Sequence, residues 1–384
     1  MARGEIFETR PEKIVSGGAA LSRIEGKSVF IEFAAPGDLV KCRIIKEYRD
    51  RAEGEILEVL EPSPLRVKPV CSLYGKCGGC SLQHLGYEHQ IEAKEKILRE
   101  AFKRIAGAEV PMIRIKRSEP YGYRNRVQFH YSIGKGPCFK ERKSSSLVVI
   151  KDCPVADNGI RKALKEGLFT PPRDRERFTI YSRGETFLSE GGIKRGAVRI
   201  LDKNLLLDAG IFFQSNASML EHLIRDLTII TAGADQNLPM ADIYCGVGTF
   251  AAFLGEKFPR IDLVEVNKTA LALARENVKN IKVNCFALSD TDWVKSTGMK
   301  AGPFGFIIID PPREGLSGPL REWIAGNGPD LVAYVSCDPA TLARDSRELL
   351  QGGYMLKELF LYDFYPQTAH IESLAVFSRR GNEI

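Results

Sequence analysis

The 384-residue chain contains no apolar run of membrane-spanning length, so no helical span is expected within it. Its start, MARGEIFETRPEK, lacks the apolar core of a signal peptide, and a cytoplasmic location is the expectation. No internal repeat is present, which sets aside solenoid architectures, and there is no low-complexity tract. No glycine-rich turn is completed into a dinucleotide fingerprint and no Walker lysine occurs, so pyrophosphate and P-loop sites are not indicated.

A hydrophobic share of 44% with 27% charged residues is ordinary for a globular protein, and the length allows two or three domains. Nine cysteines, an odd number, read as metal, cluster or catalytic sites sooner than as disulfides. The net charge of +6 is unevenly spread. Residues 61–200 hold 28 Lys+Arg against 15 Asp+Glu, whereas residues 201–384 hold 17 against 23. A basic excess beside an acidic half suits a polyanion-binding middle region.

The chain divides into three segments. Residues 1–62 alternate short apolar runs (SVFIEF, LVKCRIIKEY, AEGEILEVL) with turns (SGGAA, APGD), the pattern of a small β-barrel that closes to protect its edges. EPSPLRVKP is a proline-rich linker. Within 63–200 a mixed α+β unit is expected: EHQIEAKEKILREAFKRI as a helix, YRNRVQFHYS and SLVVI as strands, TPPRDRERFT as a loop. In 201–384 the apolar runs ADIYC, IDLVEVN, FGFIIID and DLVAYVS alternate with helical FAAFLGEKF and TALALARENVKN. This is βαβ arithmetic and predicts an α/β, doubly wound, Rossmann-like sheet with ligands at the carboxyl ends of its strands.

The first of these strands runs into DIYCGVGTF, where Gly246 and Gly248 let a ligand approach the backbone. The second ends with Glu265, about twenty residues on, where a carboxylate can accept hydrogen bonds from ribose hydroxyls. With no pyrophosphate signature, the pair fits S-adenosylmethionine (AdoMet) better than NAD. The fourth strand ends at Asp310 in IIIDPPREGL. Arg313 stands where methyltransferases acting on exocyclic amines place a stacking aromatic residue, so amine methylation is disfavoured. The fifth strand delivers Cys337, in YVSCDPATLARD, to the same edge.

A thiolate beside a methyl donor suits pyrimidine chemistry. Addition to carbon 6 makes carbon 5 enolate-like, and a base must later remove the carbon 5 proton. Glu372 is the expected base and His370 a structural hydrogen-bonding group. The start of the PATLARD helix and Arg344 are expected to depress the pKa of the thiol. Cys245 is read as packing under the cofactor, and Cys42, Cys138 and Cys285 as bystanders.

FFQSN (212–216), DIYCGVGTF, LVEVN, IIIDPPREGL, YVSCDPATLARD and HIESLAVF, together with CSLYGKCGGCSLQH (71–84), resemble the RNA uracil-5-methyltransferase family, and more closely its iron–sulfur 23S rRNA branch. The N-terminal segment is similar to the family's OB-like TRAM module. The resemblance implies Cys337 as nucleophile and Glu372 as base. It places Gln214, Tyr244, Gly246, Thr249, Glu265, Asp290 and Asp310 around AdoMet and the reaction site. The sequence departs from the family pattern at Thr249 and Asp338, where asparagine is common.

Cys71, Cys77 and Cys80 are spaced C-x5-C-x2-C and require a distant fourth ligand. Cys153, followed by proline, is that ligand by resemblance, completing a [4Fe–4S] cluster. The rival is a zinc site using His84. YGYRNRVQFHYS interleaves arginines with aromatics in the way single-stranded RNA is gripped and stacked. The expected activity is 5-methyluridine formation in 23S rRNA. Alternatives are the same chemistry on tRNA, or a noncatalytic cluster or zinc RNA-binding protein. A DNA cytosine enzyme is disfavoured because serine, not proline, precedes Cys337. RNA is the expected partner, and no obligate protein partner is indicated.

Overall fold

The computed structural model describes residues 2–132, 136–172, 176–298 and 302–379. Among the described residues the chain forms four sheets, and no helix is long and apolar enough to cross a membrane.

The first sheet has six strands, in the order Ile6–Thr9, Leu39–Glu47, Arg51–Glu61, Lys27–Ile31, Ala20–Ile24, Lys13–Ile14. Alternation sends Val29, Ile31, Val40, Cys42 and Ile44 inward, where they are almost fully buried. The expected closure by strand pairing is not found among the described residues, because Ile6–Thr9 and Lys13–Ile14 pair with different neighbours. Leu82, Leu85 and the flank of the helix Tyr87–Ala101 extend that core instead. The proline-rich linker is tied down by buried Asp38, which accepts from the Ser63 amide at 2.8 Å and from the Arg66 guanidinium.

The middle sheet is antiparallel, ordered Leu147–Val149, Gly136–Lys140, Arg126–Ser132, Arg177–Arg183, Thr186–Ser189, and backed by the helix Asn158–Glu166. The expected loop TPPRDRERFT ends earlier than its sequence suggests, because Arg177, Phe178 and Thr179 already pair with Arg126–Ser132. Its Arg173–Arg175 lie outside the described residues. The aromatics expected to meet RNA divide by strand alternation. Phe129 is fully buried and stacks on Phe139, and the Tyr123 hydroxyl donates to the Pro366 carbonyl at 2.8 Å. Neither faces solvent: the pleat of Arg126–Ser132 turns Phe129 into the core while its neighbours Gln128 and His130 are more exposed, and Tyr123 is buried just ahead of that strand.

The third sheet pairs only Arg195–Ile200 with Lys203–Asp208. The fourth has eight strands, in the order Val283–Phe286, Ile261–Val264, Met240–Ile243, Phe306–Ile309, Leu331–Ser336, Glu372–Arg379, Tyr354–Tyr362, Ile113–Lys116. The first five are parallel, and Glu372–Arg379 runs antiparallel between Leu331–Ser336 and Tyr354–Tyr362. Met240–Ile243, Ile261–Val264 and Phe306–Ile309 are buried on both faces, as helix-covered parallel strands must be. The outermost strand, Ile113–Lys116, comes from the middle segment, and Leu98 and Phe102 pack beside it against Leu342 and Leu349.

Lys94, on the helix Tyr87–Ala101, is 1% exposed and paired with Asp363, also 1% exposed. Removing one member of a buried ion pair strands the other charge. Lys94→Ala is therefore expected to lower unfolding stability by about 3–5 kcal/mol, measured by urea denaturation. A loss within 1 kcal/mol would show that the carboxylate finds water or another partner.

Candidate active site

At the carboxyl end of Met240–Ile243 the chain turns sharply. Tyr244 has φ 64° although it is not glycine, and Gly246 and Gly248 follow with φ 54° and 75°. A Cβ on Gly248 would lie 2.9 Å from Cα of Ala274, so the turn and the helix Lys268–Asn277 meet only because that position is bare. Glu265 spans the turn: its Oε2 accepts the Gly246 amide at 3.1 Å and its Oε1 the Asn267 amide at 2.7 Å. Thr249 begins the short helix that follows and is 8% exposed. The Tyr244 hydroxyl donates to Asp290 Oδ2 at 2.6 Å, and the Ser317 amide donates to the same oxygen at 3.0 Å. Burial opposes ionisation of Asp290, but the bonds from Ser317 and Tyr244 outweigh it and hold the carboxyl below its ordinary value.

Asp310 follows Ile309, one strand over. Gln214 Nε2 donates to its Oδ2 at 3.4 Å, while Gln214 Oε1 is buried without a partner among the described residues. Asp242 Oδ2 accepts the Ala251 amide at 3.0 Å, and its Oδ1 is similarly unpartnered. Burial raises both Asp242 and Asp310 to about 7. Unused buried acceptors around a bare glycine turn are what a polar ligand would satisfy.

The pairing of Leu331–Ser336 with Glu372–Arg379 ends at Ser336 opposite Ser373. One step further along each chain stand Cys337 and Glu372, so the antiparallel register itself sets them side by side. Asp310 reaches the same edge because Ile309 pairs with Tyr334. Three acidic groups thus converge. Burial first, then Glu372 and Asp310, push the Cys337 thiol up to about 12, against the pull of Arg313. Burial and Asp310 raise Glu372 well above the usual carboxylate range.

The expected depression of the thiol pKa is overturned, for two reasons. Asp338 caps the helix Pro339–Gln351, its Oδ1 accepting the Ala340 and Thr341 amides at 2.9 and 3.0 Å, so a carboxylate occupies the dipole end meant for the thiolate. Arg344 turns away, donating to Asp345 at 2.8 Å and to the Glu314 carbonyl at 2.9 Å. The cation that acts on Cys337 is Arg313, held by the neutral ring of His370 at 3.1 Å. Along the chain Arg313 reads only as the absence of a stacking aromatic residue, since nothing local shows which side chains meet across strand ends.

With a pKa near 12 the neutral thiol dominates at physiological pH. Iodoacetamide alkylation of Cys337, read by peptide mass spectrometry, is expected to rise about tenfold per pH unit from about pH 7 to about pH 10. Levelling near the ordinary thiol value of about 8.5 would contradict this environment.

Cys337 opens onto a cavity of about 280 Å³ where every segment contributes: Ser16 and Gly17 of the first sheet, Gly78, Gly79 and Ser81 of the cysteine loop, Arg142 of the middle sheet, and Arg313 and His370. Cys245 is 6% exposed in the core under the turn, Cys42 and Cys138 are buried, and Cys285 is exposed.

A second cavity, of about 840 Å³, adjoins the first at Gly78, Gly79 and Arg142 and is lined by Cys71, Cys77, Cys80 and Cys153, all free thiols. Among the described residues no three metal-ligating side chains are close enough to share one ion. His84 cannot complete a zinc site: its Nδ1 lies 2.6 Å from the Tyr74 hydroxyl and its Nε2 3.1 Å from the Ala34 carbonyl.

A family model described as tRNA (Uracil-5-)-methyltransferase matches residues 194–380, and a TRAM domain model matches residues 7–57. The chain is 36% identical to an uncharacterized RNA methyltransferase of Treponema denticola, across 98% of this chain and 99% of that one. It is 30% identical to a 23S rRNA (uracil(1939)-C(5))-methyltransferase of Edwardsiella ictaluri, across 94% and 93% of the two chains. It is also 30% identical to a tRNA (uracil(54)-C(5))-methyltransferase of Pyrococcus abyssi, across 91% and 95%. The crystal structure of the P. abyssi tRNA (uracil-54, C5)-methyltransferase in complex with S-adenosyl-L-homocysteine shares the fold, with a TM-score of 0.73 at 24% identity over 97% of this chain and 100% of that one. The chain belongs to the RNA (uracil-5-)-methyltransferase family and carries an N-terminal TRAM domain.

Proposed function

We propose that this enzyme makes 5-methyluridine in 23S rRNA, with AdoMet as methyl donor, Cys337 as nucleophile and Glu372 as base. The observation that carries the reading is the register that sets Cys337 beside Glu372 at a cleft shared by all segments. The unpartnered Gln214 Oε1, the Asp310 carboxyl, the Glu265 carboxylate and the Gly246–Thr249 turn form a donor and acceptor set that fits AdoMet, with Tyr244 and Asp290 bracing the turn. AdoMet supplies an electrophilic methyl at this edge.

The minor thiolate form of Cys337, its proton released to solvent, bonds through Sγ to carbon 6 of uracil, and the carbon 5–carbon 6 π pair moves towards carbon 5 and the carbon 4 carbonyl. Carbon 5 is then the nucleophile. Once it is methylated, its proton passes to the Glu372 carboxylate, the double bond re-forms, and the thiolate leaves. A raised pKa makes ionised Glu372 a stronger base towards a carbon acid, and Arg313 supplies the charge that offsets ionisation at this edge.

A TRAM module and a basic middle segment both suit an RNA partner. The likeness to a tRNA-modifying enzyme supports a second reading, tRNA as substrate. Transfer of labelled methyl to separated large rRNA, small rRNA and tRNA from cells lacking the enzyme distinguishes the two. Label in large rRNA supports the proposal, and label confined to tRNA replaces it. A noncatalytic role is not favoured, because Cys337, Glu372 and Asp310 are all present and brought together.

Cys71, Cys77, Cys80 and Cys153 would hold a [4Fe–4S] cluster. Their shared cavity supports this. Protein purified without oxygen should be brown and contain iron and sulfide, both lost in Cys153→Ser. Colourless protein with stoichiometric zinc would overturn the assignment.

A further inference from the structure

Residues 363–371 join two antiparallel strands and lead directly into Glu372, yet most of this loop is buried. Loops normally run over the surface because their backbone polar groups need partners. Here the partners come from several other parts of the chain, and four of them, Ser81, Leu82, Gln90 and Pro120, meet at Gln367. Gln367 is 3% exposed and has φ 68°, a left-handed conformation that a non-glycine residue keeps only when its surroundings hold it there. Its amide donates to Gln90 Oε1 at 2.9 Å, and its side-chain oxygen accepts from Gln90 Nε2 at 3.0 Å. Its carbonyl accepts the amides of Ser81 and Leu82 at 3.0 and 2.9 Å, immediately after Cys80. Two residues on, the Ala369 amide donates to Ser81 Oγ at 2.9 Å. Thr368, Ala369, His370 and Ile371 then line the cavity onto which Cys337 opens.

We propose that Gln367 is the positioning residue that couples the cysteine loop to the active site, clamping the segment that aims Glu372 at carbon 5. Gln90 is its partner, and the amides of Ser81 and Leu82 are the link by which the cysteine loop holds the base in place. Gln367 touches no reacting atom. It acts by fixing the entry of the strand Glu372–Arg379, whose first residue is the base. The proposal rests on the assignment of Cys337 and Glu372 above.

The test uses the full-length enzyme, AdoMet and substrate RNA, with Gln367→Ala, Gln367→Gly and Gln90→Ala compared against Glu372→Gln. Glycine keeps the left-handed backbone without the side chain, so it stands in if the alanine variant does not fold. A misaimed base leaves the carbon 6 adduct unresolved. The expected result is a kcat lower by about 10²-fold, the scale of a small misplacement at a reacting centre, with KM for RNA unchanged. A protein–RNA adduct that survives denaturing electrophoresis should accumulate in the Gln367 and Gln90 variants as in Glu372→Gln. An adduct in Glu372→Gln but none in folded Gln367 and Gln90 variants overturns the coupling, since a merely structural role lowers stability without trapping an adduct. No adduct in Glu372→Gln itself overturns the base assignment instead.

Discussion

Cys337→Ala is expected to abolish methyl transfer, with kcat falling on the order of 10⁶-fold, the scale on which deleting a covalent nucleophile acts. Carbon 5 of uracil has no nucleophilic character until a group adds at carbon 6, so the variant loses the reaction path itself. Binding of RNA and AdoMet should persist, because the cavity walls, the glycine turn and the basic segment are untouched. Cys245 is 6% exposed beneath the turn, and Cys42 and Cys138 are buried, so none of these three is placed to substitute. Single-turnover transfer of labelled methyl checks this, and activity within tenfold of the native enzyme would remove Cys337 from the mechanism.

Glu372→Gln is expected to act later. Glutamine matches the neutral carboxyl that this buried site favours, so the fold should tolerate it well. It cannot accept a proton. Carbon 6 addition and methylation proceed, deprotonation at carbon 5 stalls, and turnover falls by about 10²–10⁴-fold, the usual worth of a general base. The methylated nucleotide should remain bonded to Cys337 and migrate with the protein on a denaturing gel. Normal turnover in this variant would move the role of base to another group on the same edge, of which Asp310 is the nearest candidate by register.

Much of this site is legible along the chain because its residues sit at strand ends, and strand ends can be read from apolar runs. The runs ending at Asp310 and Cys337 are four- and six-residue strands buried throughout. Gly246 and Gly248 could be singled out by their place at a strand-to-helix turn, and only the structure adds that Ala274 leaves Gly248 no room for a side chain. The cysteine spacing could be counted, and its four members do line one cavity.

What local sequence cannot carry is direction across the fold. Arg344 lies closer to Cys337 in the chain than Arg313 does, yet it is drawn off by Asp345, while Arg313 arrives from a neighbouring strand end. Asp338 caps the next helix, and its charge also adds to the upward push on the thiol. The strand Ile113–Lys116 joins the eight-stranded sheet from a segment with a different core. The residue types at the strand ends, and with them the chemistry open to the protein, are already written along the chain. Which charges face the thiol, which loops wall the cleft and what holds Glu372 in place are settled by folding alone, because each depends on contacts between segments far apart in the chain.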